Sequence, residues 1–165
     1  MEGKNQDAAV AIARLQGIVA KLRSEDGCPW DRQQTHASLK PACIEEAAEV
    51  LGGIDILEAT GKAENLKEEL GDLLLQVVFH AQLAEKEGLF TLADVMEAVS
   101  DKMVRRHPHV FHEPMLSADG RPLTEWKEIK AEEKKGREWE EAYLPRAFRE
   151  AEEFIEKAKA RKGIS

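Results

Sequence analysis

The sequence predicts an all-α fold, and three observations carry that expectation. Ala, Leu, Glu and Lys dominate while aromatic residues make up only 5% of the chain, which is the composition of packed helices rather than of a β-sandwich. Apolar residues recur at helical spacing over long stretches bounded by glycine or proline, and no run alternates with period two for long enough to make a strand. At 165 residues the chain can form one domain with a real core and is short for two. Together these point to a helical bundle.

The elements follow in order. A first amphipathic helix runs from about Asp7 to Leu22, with Val10, Ile12, Leu15, Ile18 and Val19 on its apolar face, and Gly27 and Pro29 break the chain after it. A second runs from about Pro41 to Thr60, its proline tolerable in the first turn and Gly61 a natural stop. The third, about Ala63 to Glu87, is the most apolar in the chain and ends at Gly88. Thr91 and Asp94 open a fourth, which has to stop before Pro108. Residues 107–122 contain three prolines and read as a loop. A charged helix follows from Thr124 to about Glu141, and Pro145 separates it from a last helix ending near Lys162.

Charge narrows the function classes. With 32 acidic against 24 basic residues and a net charge of -8, the chain is too acidic to hold a nucleic-acid duplex by neutralising phosphates. An acidic protein that acts on a polyphosphate needs a bridging cation. Cys28 and Cys43 lack C-x-x-C spacing, so they suit reduced thiols in a cytoplasmic protein better than a thiolate zinc site. No run approaches a membrane span, and the amino terminus lacks the apolar stretch of a signal peptide.

Two carboxylate pairs are the first candidate for chemistry. Residues three apart lie about 60° apart around a helix, so Glu46 with Glu49 and Glu69 with Asp72 each share a face and can grip a cation from one side. On the third helix, Asn65, Glu69, Asp72, Gln76 and His80 fall within a stripe of roughly 80°. The remainder of that helix is apolar nearly all round, with Leu70, Leu73, Leu74, Leu75, Val77, Val78 and Phe79, so the polar line is expected to face a partner helix or a cleft. Carboxylates facing one another repel at a cost of several kcal/mol, and a hard divalent ion removes that problem. Oxygen ligands alone suit Mg²⁺ or Mn²⁺. Spacing by itself leaves a metal site and a solvated acidic face both open. A di-iron carboxylate site loses most of its weight, because none of the five histidines has a glutamate three residues before it.

Lys102, Arg105 and Arg106 share a face late in the fourth helix, where cations also complement the helix dipole. Beside a loaded metal site the same three could clamp phosphates. Trp126 stands on a strongly polar helix and can pack inward or stack on a base. Trp30 in the CPWD stretch reads as a core anchor. His107 and His109 read as structural, and no P-loop or nucleophile elbow is present.

Five stretches carry a family resemblance: GCPWDRQQTHASL at 27–39, EEAAEVL at 45–51, EELGDLLLQVVFHAQLAEKEG at 68–88, SDKMVRRHPHVF at 100–111 and WKEIKAEEK at 126–134. In order and spacing they resemble the MazG family of nucleoside triphosphate pyrophosphohydrolases. The resemblance covers about residues 8–135, so that residues 1–135 would be a MazG-like domain and 136–165 a charged helical extension. It implies an all-α bundle, a homodimer or a dimer of dimers, hydrolysing nucleoside triphosphates to monophosphate and pyrophosphate with Mg²⁺. Glu46, Glu49, Glu69 and Asp72 would be its metal ligands and catalytic carboxylates, with Glu46 or Glu49 activating the water that attacks the α-phosphorus. Lys102, Arg105 and Arg106 would contact phosphates, and Trp126 with Lys130 would close over the nucleotide. Gly52 and Gly53 depart from the family pattern and would loosen the second helix. Two other functions compete: an acidic helical docking module without catalysis, and a hydrolase restricted to one nucleotide.

Overall fold

A computed structural model describes residues 2–112 and 114–164. Among the described residues eight α-helices succeed one another: α1 (Glu2–Leu22), α2 (Pro29–Gln33), α3 (Lys40–Thr60), α4 (Glu64–Lys86), α5 (Leu92–Arg106), α6 (Pro108–Phe111), α7 (Trp126–Lys134) and α8 (Leu144–Lys162). Strands β1 (Met115–Leu116) and β2 (Pro122–Leu123) form a small hairpin, and a 3₁₀ segment covers Glu138–Tyr143. Among the described residues no helix is long and apolar enough to cross a membrane.

The long helices end where the breakers stand. Gly61 adopts the left-handed conformation at φ 71° and its N–H donates to the Leu57 carbonyl at 2.8 Å, which closes α3 and turns the chain back into α4. The loop expected over residues 107–122 is more ordered than its prolines suggest. Pro108 begins the single turn of α6, because its fixed φ suits a first helical position. Met115 pairs with Leu123 and Leu116 with Pro122, around a turn in which Gly120 has φ 82°. Strands of two residues are too short to show alternation. The charged helix expected to reach Glu141 stops at Lys134, since Gly136 takes φ 76°. Pro145 does not precede the last helix but lies in the first turn of α8.

The chain divides into two compact units, one running to Leu92 and resuming at Glu150, the other spanning Ala93–Arg149. This partition follows packing, whereas a boundary at residue 135 follows the extent of the resemblance. In the first unit α4 is the central element, packed against both α3 and α1. Its core joins Val19 of α1 and Leu39 to Val78, Phe79, Ala81 and Leu83 of α4. Arg23, buried beyond the end of α1, donates from Nε to Gln82 Oε1 at 2.7 Å and from Nη1 to the Asp31 carbonyl at 2.5 Å. Its guanidinium also lies over the Phe79 ring at 5.7 Å. The turn after α1 is thereby tied to α2 and α4. Trp30, expected as a core anchor, is 65% exposed, and Asp31 beside it is the buried residue of α2.

Gly53 shows how closely α3 and α4 approach. A Cβ there would meet the Leu66 Cα at 2.8 Å and its backbone nitrogen at 3.1 Å, so the absence of a side chain permits the crossing instead of loosening the helix. At Gly52 an added Cβ meets nothing within 4 Å. Gly53→Ala is therefore expected to destabilise the protein by about 1–3 kcal/mol, while Gly52→Ala should be neutral or stabilising by up to about 1 kcal/mol. Urea unfolding of the two variants measures the contrast, and equal effects would contradict the close approach.

Candidate functional site

The polar line of α4 faces α3. Asn65 donates from Nδ2 to Glu69 Oε1 at 2.8 Å one turn away, a bond that aims the Glu69 carboxylate. Carboxylate oxygens of Glu46, Glu49 and Glu69 lie within 4.8 Å of one another. Each is partly buried. Ligand oxygens on opposite sides of one Mg²⁺ stand about 4.2 Å apart, so a small closure of these three side chains would grip one ion. All the donors are hard oxygens, which fits Mg²⁺ or Mn²⁺.

Asp72 lies outside this closest group and belongs to its electrostatics. Burial, then the charges of Asp72, Glu45 and Glu69, push the Glu46 carboxyl above its ordinary value. Like charges brought together in a half-dry seam raise one another's proton affinity, and a cation relieves them. Further along α4 the buried Oε1 of Gln76 accepts no hydrogen bond among the described residues. His80 stacks on His36, with their Nδ1 atoms 2.7 Å apart, while its Nε2 lies 3.3 Å from Cys43 Sγ. Burial and then His36 lower the His80 pKa, and burial raises that of Cys43. The thiol is free, as is that of Cys28.

The basic residues lie in the other compact unit. Glu133 of α7, which the sequence reading did not single out, holds both arginines. Its Oε1 accepts from Arg105 Nη2 at 3.1 Å and its Oε2 from Arg106 Nη2 at 2.6 Å and Nε at 2.9 Å. Arg106 is also set over the Trp126 ring at 4.9 Å, and His107 meets that ring edge-on at 5.4 Å. The two arginines differ in freedom, since the Arg106 side chain is 17% exposed and that of Arg105 41%. Trp126 is therefore both partly packed and partly open, and Lys102 and Lys130 are exposed. Burial alone would raise the Glu133 carboxyl, yet the hydrogen bonds from Arg106 and Arg105 outweigh it and hold the group below its ordinary value.

The carboxylates engage a second set of cations that sequence reasoning also missed. Arg161 of α8 pairs with Glu45, and Lys162 pairs with Glu49 and stands 3.1 Å from Glu45 Oε1. Hydrogen bonding to Arg161 is the main reason that the Glu45 carboxyl is depressed.

Comparison with known proteins shows what the chain resembles. Residues 34–111 match the MazG nucleotide pyrophosphohydrolase domain. The nucleoside triphosphate pyrophosphohydrolase/pyrophosphatase MazG of Thermotoga maritima is 47% identical over 129 residues, covering 78% of this chain and 48% of that protein. A nucleoside triphosphate pyrophosphohydrolase of Escherichia coli K12 is 47% identical over 124 residues, 74% of this chain and 46% of the relative. One from Mycolicibacterium smegmatis is 40% identical over 120 residues, 72% and 35% of the two chains. The chain thus spans about half the length, or less, of these relatives.

Because the Glu133 carboxyl is depressed, its charge stabilises the fold above the ordinary value of 4.5, and the contribution disappears as pH falls through the lower folded value. Glu133→Gln should lower Tm at neutral pH by about 2–4 °C per kcal/mol lost. The gap from wild type should close in acid, and thermal scans from pH 7 to pH 3 would show a constant gap if the charge were irrelevant.

Proposed function

Residues 34–111 belong to the MazG nucleotide pyrophosphohydrolase domain family, and from that premise we propose that the chain hydrolyses nucleoside triphosphates to monophosphate and pyrophosphate with Mg²⁺. The observation that supports this most is the convergence of Glu46, Glu49 and Glu69 between α3 and α4, with Asp72 adding charge beside Glu46. These four carboxylates would hold the metal, with Mn²⁺ an alternative of the same chemistry. When bound, the ion supplies Lewis-acid charge to the phosphate oxygens. Glu46 or Glu49 would accept a proton from the attacking water. Attack in line at the α-phosphorus then expels pyrophosphate.

Lys102, Arg105 and Arg106 take the phosphate-binding role on the strength of the motif they share with the family, and Trp126 with Lys130 the nucleotide-closing role. Glu133 and the Trp126 ring keep Arg106 extended, and the more exposed Arg105 is the freer to exchange its carboxylate for a phosphate.

A homodimer or dimer of dimers completes the proposal. Leu70, Leu74 and Val77 are exposed along one face of α4, as is Leu51 on α3, and a second copy would cover that apolar stripe. The setting is cytoplasmic, among the nucleotide pools.

The test is pyrophosphate release from a panel of NTPs and dNTPs, with Mg²⁺ and with chelator. Glu69→Gln or Asp72→Asn should abolish release while leaving helical content intact. Release without a divalent ion, or wild-type turnover in either variant, would refute the site. Metal-independent inactivity throughout would leave an acidic docking module.

Arg105→Ala and Arg106→Ala should each lower kcat/KM about ten- to a hundredfold, the worth of a charge-assisted phosphate contact. Lys134→Ala, at an exposed ion pair with Glu141, should cost little. Since Arg106 also holds Glu133, its loss should lower Tm as well. Activity per folded molecule separates the two effects, and equal values in all three variants would remove the phosphate role.

A further inference from the structure

The last turn of α8 is basic, with Lys159, Arg161 and Lys162, and it ends on Glu49, one of the three carboxylates that converge between α3 and α4, and on Glu45 beside them. Arg161 donates to both oxygens of Glu45, and Lys162 donates to Glu49 across 113 positions of sequence. At the other end of the contact, Lys40 Nζ lies 2.7 Å from Glu150 Oε2. The helix is thus pinned along α3 by ion pairs at both ends.

Packing between those pins is poor. A cavity of about 280 Å³ lies under α8, lined among others by Ala48 and Gly52 of α3 and by Ile155, Ala158 and Ile164. Small residues on α3 leave the seam unfilled, and Ile155 remains 39% exposed. Close packing resists separation and a void does not. Ion pairs therefore supplement the apolar contact of α8 at this site, and exposed ion pairs are individually weak.

We infer that Arg161 and Lys162 are residues of the carboxylate site: an internal counter-ion that holds Glu45 and Glu49 and that competes with a divalent ion for Glu49. The inference rests on the reading of Glu46, Glu49 and Glu69 as metal ligands. A carboxylate that keeps an ammonium in contact coordinates a dication less favourably, because the two positive charges then repel at close range. Metal loading and release of the end of α8 are consequently coupled, and coupling of this kind is reciprocal. Occupancy by Lys162 lowers the apparent metal affinity by the fraction of molecules in which α8 is docked.

The experiment is calorimetric titration of Mg²⁺ and Mn²⁺ into the full chain and into Lys162→Ala, Lys162→Arg and Lys159→Ala. Lys162→Ala should bind the ion about two- to fivefold more tightly, and Lys162→Arg should remain close to wild type. Lys159→Ala removes a charge from the same turn without touching the carboxylates in this arrangement, and should change affinity much less. Hydrogen exchange supplies a second readout: saturating metal should raise amide exchange in residues 150–162 and lower it in α3 and α4. Equal affinity in wild type and Lys162→Ala, or an equal gain in Lys159→Ala, would overturn the inference, as would unchanged exchange in α8. Absence of metal binding by every folded variant, wild type included, would instead remove the metal reading and this inference with it.

Discussion

Like charge gathered across the seam between α3 and α4 is the constraint on which the first unit depends. Glu46, Glu49 and Glu69 bring oxygens within 4.8 Å of one another, and Asp72 and Glu45 add to the field at Glu46. Such an arrangement persists only if the scaffold holds the helices together and positive charge answers it. The scaffold is the close approach at Gly53 and the core of α4 against α1. The positive charge is Arg161 and Lys162, and in the proposed reaction a divalent ion. The geometry that makes the seam costly to fold would also favour a dication, in the proposed reading.

The second unit solves a similar problem with the signs reversed. Arg105 and Arg106 stand at adjacent positions, where two guanidiniums repel, and Glu133 takes one on each oxygen. Trp126 provides a face for Arg106. The result keeps positive charge at a fixed position. The Arg106 side chain is the more enclosed of the two.

Much of the site was legible because its pattern is local. A spacing of three residues places two carboxylates on one helix face whatever the tertiary fold, so the pairs on α3 and α4 are visible in the sequence. The polar line through the apolar run of α4 identified the face turned to a partner. Glu133 left no such trace, since a glutamate on a charged helix resembles its neighbours until α5 lies against it. The same holds for Trp30, whose CPWD setting reads as an anchor although the buried member is Asp31. Gly53 was legible as a departure and not as a close approach, because the atom it accommodates belongs to Leu66 on another helix.

By itself the sequence determined the helical class, the bounds of the long helices, the candidate carboxylates and the family, because periodicity, chain breakers and short motifs act within a few residues. The tertiary structure alone decided which three carboxylates converge and that Asp72 acts beside them. It also decided that Glu133 clasps the arginines and that the end of α8 lies on Glu45 and Glu49. Each of these is a contact between residues far apart in the chain, such as the 116 positions between Glu45 and Arg161. No local pattern encodes such a meeting; it is set by how the helices pack.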